Sequence, residues 1–416
     1  MVQPDRGNSS EPPLAPKSAP QQEELADVVV SGQSHHESSQ PWYIALRPVL
    51  FCVMFLLLFE CSARLYFDHT LCLEAERFDN FPGAAIQDAF VAQMRCDTAY
   101  KIVMIGDSTI VGPSLLARNE TIPQELEAEL HRRYPNRPVH VWNMSITGAR
   151  STDELCLLKK ALEGKPDFII IEGNYFISDQ IFDLNVPGHA EPIWNPWLAY
   201  NLPQVPPSLL PLLKPRDWKQ RLEDSLTDAI EKNVRLIGMR QAINAKVFGV
   251  QPRVPYETPN PLIMAGVNVA KSLHKLQAQP WNEHGKRAQD FHSEYRFTIQ
   301  PDNFNGLHYR EVMETLQRVG TPALTYLTPQ NPCITSVCMP ADLYEAGRHV
   351  LSSFFQGYGI PHYDFSELVP DRFFVDNDHM MAEGNRRLAC ALADEIAPRL
   401  NAERQNASGI AGVPSR

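Results

Sequence analysis

A short apolar run that ends in glycine constrains the fold of this chain more than any other feature. Ile102 to Ile105 are all apolar, and Gly106-Asp107-Ser108 follows them directly. An apolar run of this length that stops at glycine predicts a buried strand entering a tight turn. In α/β folds such turns lie at the carboxyl edge of a parallel sheet, where these folds place their chemistry. Because Asp and Ser are also common turn residues, the motif alone leaves both a plain turn and a catalytic serine open.

The same strand pattern recurs along the chain, each time separated from the next by a helical pattern. We predict strands at 102–105, 139–142, 168–171, 323–327 and 361–365, and helices from about Thr121 and at 151–163, 309–319, 341–355 and 382–400. Strands that alternate with helices form parallel βαβ units with right-handed crossovers. The sequence therefore predicts an α/β fold with a parallel sheet of about five strands.

The N-terminal part of the chain is of a different kind. Residues 1–40 are rich in Pro, Ser, Gln and Glu and are predicted to be disordered. Between Arg47 and Glu60 lie twelve uncharged, mostly apolar residues. This core is shorter than the roughly 20 residues that a spanning helix needs. Together with the residues on either side of it, it predicts a single transmembrane anchor at 41–67. A signal peptide cleaved near Ala63 and a buried core helix are the alternatives.

The remaining segments are assigned around the main domain. We predict a linker at 68–100, the α/β domain at 101–400 and a disordered tail at 401–416. An insertion at 175–304, Pro-rich at first and helical near 218–247, interrupts the alternation of strands and helices. Its aromatic side chains, at Trp194, Trp197, Tyr200, Trp218 and Trp281, line either a carbohydrate groove or an ordinary core.

Composition excludes some classes of function. The net charge is −11, and no Lys/Arg-rich run offers a basic patch, so we expect no nucleic-acid partner. No group of His, Asp and Glu has metal-ligand spacing, and we expect neither a metal nor a cofactor. Cys72 with Cys96, and Cys333 with Cys338, are either disulfides of an oxidising compartment or small buried side chains.

Polar residues follow the ends of several predicted strands. Ser108 follows the first, Gly148 the second, Asn174 the third, and Asp376 and His379 the last. Because parallel strands end at one edge of a sheet, these residues can converge there. A serine nucleophile needs a base, a group that orients the base, and donors for the oxyanion. Three positions apart, the Asp376 carboxylate can hold the imidazole so that its other nitrogen is free for the serine proton.

These motifs give the chain a resemblance to the SGNH (GDSL) hydrolase superfamily, over about 101–174 and 323–400. The first block of that family corresponds to Gly106-Asp107-Ser108, the second to Asn143–Gly148, the third to Asn174, and the last to Asp376-x-x-His379. The resemblance implies a flavodoxin-like three-layer sandwich. It also implies that Ser108 is the nucleophile, His379 the base and Asp376 its orienter. The oxyanion hole would consist of the Ser108 and Gly148 N–H groups and the Asn174 side-chain amide.

The chain departs from the family pattern in two blocks. The third block reads Glu172-Gly173-Asn174-Tyr175 where the family usually has Gly-x-Asn-Asp, and Ser145 stands where the second block often has glycine. Asp378, beside the histidine, is a rival orienter that we expect to point to solvent.

The resemblance implies a serine esterase or acyltransferase acting on O-acyl esters, acetyl esters of a surface carbohydrate foremost. An N-terminal anchor before such a domain also resembles the extracytoplasmic SGNH proteins that work beside membrane-bound O-acyltransferases. By that resemblance the protein is a single-pass protein of the inner membrane, with its catalytic domain in the periplasm. The alternative is a catalytically inactive, membrane-tethered protein that binds a glycan or an acyltransferase partner.

Overall fold

The computed structural model describes residues 42–70, 84–112, 118–146, 149, 151–174, 217–240, 304–333, 341–375 and 378–410. The chain divides into two units, Met1–Leu56 and Leu57–Arg416. The sheet and the candidate site belong to the second unit.

Five parallel strands form the sheet and confirm the predicted α/β class. They are β1 (Tyr100–Ile105), β2 (Val139–Asn143), β3 (Phe168–Gly173), β4 (Ala323–Leu327) and β5 (His362–Asp364), in the order β2-β1-β3-β4-β5. This is the flavodoxin-like order, in which the chain reverses direction of winding between β1 and β3. Ligands of such sheets bind beyond the carboxyl ends of the strands at that point.

Continuous apolar runs produce the central strands because both faces of the sheet are covered. Alternate residues of β1 enter opposite cores: Ile102 and Met104 pack on one face, and Val103 and Ile105 on the other. All six residues of β3 are buried. The sheet is therefore the middle layer of a three-layer sandwich.

Helices form the outer layers and one N-terminal element. The helices are α1 (Trp42–Thr70), α2 (Ala84–Cys96), α3 (Ser108–Val111), α4 (Ile122–Arg133), α5 (Ser151–Glu163), α6 (Trp218–Asn233), α7 (Arg235–Gly238), α8 (Phe304–Val319), α9 (Ala341–Gln356) and α10 (Ala382–Ile410). Side chains of α2, α5, α8 and α9 fill the core on one face of the sheet, and those of α4 and α10 fill the core on the other.

Two boundaries differ from the sequence predictions. Residues 84–96, assigned to the linker, form α2, whose Phe90 and Met94 are buried. The Phe90 ring meets the edge of Trp142 on β2 at a centroid distance of 4.9 Å. At the other end α10 runs to Ile410, into the predicted disordered tail. Its extension is rich in Ala, Glu, Arg and Gln, which have high helix propensity.

The cysteines described in the structure do not form the two suggested disulfides. Cys96 is a free thiol. The Cys333 thiol donates a hydrogen bond to the Asp371 carboxylate at 3.2 Å. The partners suggested for them, Cys72 and Cys338, lie outside the described residues.

Helix α1 contains the segment predicted as an anchor. Within it Leu46–Tyr66 has a mean hydropathy of 1.9 and is long and apolar enough to cross a membrane. Only 6% of this window is buried, so its apolar side chains are not used as a protein core. This exposure disfavours the buried-core-helix alternative, whereas a signal sequence has the same length and composition.

Candidate functional site

The turn after β1 is closed by its own side chains. Asp107 is the N-cap of α3, and its Oδ1 accepts a hydrogen bond from the Thr109 N–H at 2.7 Å. Gly112 ends the helix at φ +79°, a conformation that glycine adopts without strain, and its N–H donates to the Ser108 carbonyl at 2.8 Å. Ser108 is thus the first helical residue, and it is only partly buried.

A carboxylate on the neighbouring strand fixes this turn. Glu172 on β3 is 1% exposed, and its Oε2 accepts the Asp107 N–H at 3.0 Å. Its Oε1 accepts the Thr109 hydroxyl. A Cβ at Gly106 would overlap Glu172 Oε2 and lie 2.7 Å from Ile110 Cδ1, which explains the glycine at this position. Glu172 therefore sets the position of the residues on both sides of Ser108.

Asn174, at the end of β3, connects the turn to a distant part of the chain. Its Nδ2 donates to Asp107 Oδ2 at 2.7 Å and to Asp378 Oδ2 at 2.9 Å. An amide nitrogen has two hydrogens, and both of these are directed at carboxylates. The side chain is 2% exposed.

Asp378 points inward, contrary to the expectation that it faces solvent. It is 5% exposed, and its Oδ1 lies 3.1 Å from His379 Nδ1. In the same part of the chain, the Val375 N–H donates to the His379 carbonyl at 2.8 Å, next to a bridge between Phe374 and Met380. These contacts fix the backbone of His379, the neighbour of Asp378. Asp376 lies outside the described residues, so its predicted role stays a prediction.

Burial and mutual repulsion raise the pKa values of three carboxyl groups in and beside this network. Burial, with the charge of Asp378 as the second cause, raises the pKa of Asp107 to about 6. Burial and then the charge of Asp107 raise the pKa of Glu172 well above its ordinary value. The pKa of Glu154 on α5 is raised in the same way, by burial first and by Glu172 second. The site therefore favours protonated carboxyl groups, which can donate as well as accept.

The structure brings several of the predicted site residues to one edge of the sheet. The Asn174 amide donates hydrogen bonds to Asp107 and Asp378, Asp378 Oδ1 lies 3.1 Å from His379 Nδ1, and Ser108 follows Asp107 directly. Gly148, predicted as an oxyanion donor, lies outside the described residues.

Sequence reasoning missed the role of Glu172. The signal was present, because a glutamate ends the run Phe168–Ile171 in a strand that is buried on both faces. A buried carboxylate in such a strand requires polar partners. The sequence does not identify those partners, since they come from the turn that follows another strand.

Comparison with known proteins yields only structural neighbours. No protein-family model and no curated protein sequence matches the chain. Among solved structures, the carbohydrate acetylesterase Est24 from Sinorhizobium meliloti is 13% identical, with a TM-score of 0.31, and the match covers 72% of this chain and 98% of that one. An alpha/beta hydrolase enzyme, LAE5, from the metagenome of Lake Arreo, Spain, has the same identity and TM-score, over 72% of this chain and 95% of its own.

Proposed function

We propose that the chain is a serine esterase or O-acyltransferase of SGNH type, acting on O-acyl esters and foremost on acetyl esters of a surface carbohydrate. One observation carries the proposal. The loop that bears His379 is hydrogen-bonded through Asp378 and Asn174 to Asp107, the residue before Ser108. The base and its orienting carboxylate, on one loop, are thus linked to the residue before the serine at the carboxyl edge of the sheet, an arrangement that supports nucleophilic catalysis.

The proposed chemistry begins at Ser108. Its Oγ attacks the ester carbonyl while the imidazole of His379 takes the hydroxyl proton. Since Asp378 faces Nδ1, the imidazole is held in the tautomer that leaves Nε2 free to act as base. The acyl group is then on Ser108, and the proton passes to the departing alcohol. Water completes hydrolysis, whereas a sugar hydroxyl at the same position completes a transfer.

The oxyanion is stabilised in this proposal by the N–H groups of Ser108 and Gly148 and by Asn174. Loss of one such donor typically lowers the rate by about 10²–10³-fold. Both amide hydrogens of Asn174 are bonded to carboxylates. The side chain can therefore stabilise the oxyanion only after one of these bonds breaks and its hydrogen turns to the oxyanion. Protonation of Asp107, whose pKa is raised to about 6, weakens one of those two bonds.

Hydrolysis of a panel of esters tests the proposal. The full chain in detergent is assayed with acetyl, butyryl and octanoyl esters of one alcohol, alongside Ser108→Ala. Ser225→Ala is a matched control, because Ser225 is exposed on α6 and bonds only within its own helix, to the Arg221 carbonyl at 2.8 Å. We expect acetyl esters to be preferred and Ser108→Ala to lose at least about 10³-fold in kcat/KM. Unchanged activity in Ser108→Ala contradicts the proposal.

The two hydrogen bonds from the Asn174 amide to carboxylates favour a second function, glycan binding without catalysis. If its two bonds to carboxylates persist when a glycan binds, the site holds the ligand without an oxyanion donor on that side. The chain is then a membrane-tethered binding protein. Calorimetric titration with an acetylated oligosaccharide distinguishes the two functions. Binding without release of acetate by the wild type supports the binding protein, and acetate release supports the enzyme.

We also propose a single-pass location in the inner membrane, with the α/β domain in the periplasm and a membrane-bound O-acyltransferase as partner. The exposed apolar window of α1 supports the anchor. Protease added to spheroplasts tests the orientation. Cleavage of the α/β domain is expected from outside, and protection of that domain contradicts it.

A further inference from the structure

Helix α6 carries an apolar stripe that the described residues leave uncovered. Trp218, Leu222, Leu226 and Ile230 recur every four residues and therefore lie along one side of the helix. Their exposed fractions run from 47% to 65%. Ile237 of α7, which follows α6 directly, is 42% exposed.

Large exposed apolar side chains are concentrated here. Outside α1, the described residues include eight such side chains, and five of them belong to α6 and α7. The other three lie apart, at Val319 in α8, at Val350 in α9 and at Leu368 after β5. Single exposed apolar residues need no explanation, but a contiguous stripe marks an interaction surface.

The end of α6 is bonded to the apolar window of α1. The Glu60 carboxylate accepts the N–H groups of Arg235 at 2.6 Å and Leu236 at 3.0 Å. The Arg64 guanidinium donates to the Asn233 carbonyl and pairs with Glu60 at 2.8 Å. Glu60 and Arg64 are the charged residues that follow the apolar core of the window. In an anchored protein, charged pairs of this kind lie at the membrane–water boundary.

We propose that α6 lies in the interfacial layer of the membrane, with its apolar stripe in contact with lipid. The bonds to Glu60 and Arg64 hold one end of α6 at the depth where the anchor leaves the hydrocarbon. Trp218 at the other end is a side chain typical of that layer. The inference rests on the proposed anchor and is independent of the proposed esterase activity.

The charge of α6 indicates which lipid surface it suits. Residues 217–233 contain three basic and five acidic residues. Because the helix has more acidic than basic residues, anionic headgroups do not attract it. Its membrane affinity comes from the burial of its apolar side chains. The inferred partner is therefore a zwitterionic lipid surface.

Photocrosslinking in vesicles tests the inference. Benzoylphenylalanine replaces Leu222 in the full chain, which is reconstituted into phosphatidylcholine vesicles, irradiated and analysed by mass spectrometry. Arg221 is the matched control position, because it is exposed and lies roughly 120° from the middle of the stripe. Leu56, inside the apolar window, is the positive control. We expect lipid adducts at 222 and 56, with a yield at 222 at least about tenfold above that at 221.

Three other crosslinking results would overturn the inference, and each identifies a different reason. Adducts at 56 but not at 222 leave the anchor in place and remove the interfacial helix. A crosslinked dimer from position 222 assigns the stripe to a second copy of the chain. Absence of lipid adducts at both 222 and 56 removes the anchor together with the inference.

Discussion

Replacement of Glu172 tests whether its carboxylate holds the turn that carries Ser108. In Glu172→Ala, the Asp107 N–H and the Thr109 hydroxyl lose their acceptor in a fully buried site. Each buried group left without a partner costs about 1–3 kcal/mol, and the vacated volume adds to that cost. We therefore expect the free energy of unfolding to fall by about 3–5 kcal/mol.

Glu172→Gln is the conservative counterpart. The glutamine oxygen can still accept from the Asp107 N–H, and its amide can donate to the Thr109 hydroxyl oxygen, which accepts as well as donates. One hydrogen bond is rearranged and none is lost, so we expect a cost of about 1 kcal/mol.

Thermal unfolding of the full chain in detergent, followed by near-UV circular dichroism, measures these effects. Glu172→Ala should lower Tm by on the order of 10 °C. Glu127→Ala is the control, because Glu127 accepts the Val141 backbone N–H at 2.7 Å at a partly exposed site. We expect the control to cost about 1 kcal/mol. Equal losses in Glu172→Ala and Glu127→Ala would show that the Glu172 carboxylate does not hold the turn.

The pH dependence gives a second readout on Glu172. Because burial raises the native pKa of Glu172 above 4.5, the wild type binds this proton more tightly when folded. The stabilisation is complete below the unfolded pKa and is lost as pH rises toward the native pKa. Glutamine does not titrate, so the stability gap between wild type and Glu172→Gln should narrow as pH rises from 4.5. A gap that widens contradicts a raised pKa.

Three further comparisons of variants test the turn and its carboxylates. Gly106→Ala should cost about 1–3 kcal/mol by overpacking in the same thermal assay. Gly357→Ala, whose new Cβ would lie 3.3 Å from its nearest neighbour, should cost less, and equal losses contradict this. Because the native pKa of Asp107 is raised to about 6, the wild type should lose about 2 kcal/mol of stability between pH 4 and 6. Asp107→Asn should lack this loss in urea titrations at the two pH values, and an unchanged pH slope contradicts the assignment. Asp378→Asn should lower kcat by about 10²–10⁴-fold in the ester assay, and Asp376→Asn by less. The reverse ranking assigns the orienting role to Asp376.

The sheet could be predicted because each central strand is a continuous apolar run followed by turn residues. The runs at Ile102–Ile105 and Phe168–Ile171 are buried on both faces, so each is apolar at every position and stands out from its flanking residues. Helix α2 could not be predicted in the same way. Its apolar residues are buried by contacts with distant parts of the chain, such as that of Phe90 with Trp142, which is 52 residues later.

The site could be predicted by residue type but not by contact. Ser108 and His379 follow strand ends, and their chemistry suggests a nucleophile and a base. The inward direction of Asp378 accompanies its bond from Asn174 and the bond from the Val375 N–H to the His379 carbonyl, neither of which the local sequence specifies. The pairing of Asn174 with two carboxylates depends on three segments at once and is visible only in the folded chain.

Labelling with a fluorophosphonate shows whether Ser108 is an activated nucleophile, because the reagent phosphonylates only an activated serine. The wild-type chain is incubated with the reagent, digested and mapped by mass spectrometry, alongside Ser108→Ala and His379→Ala. We expect a single adduct on the peptide containing Ser108, absent from Ser108→Ala and formed far more slowly in His379→Ala. Labelling of a different serine, or none in the folded wild type, contradicts it.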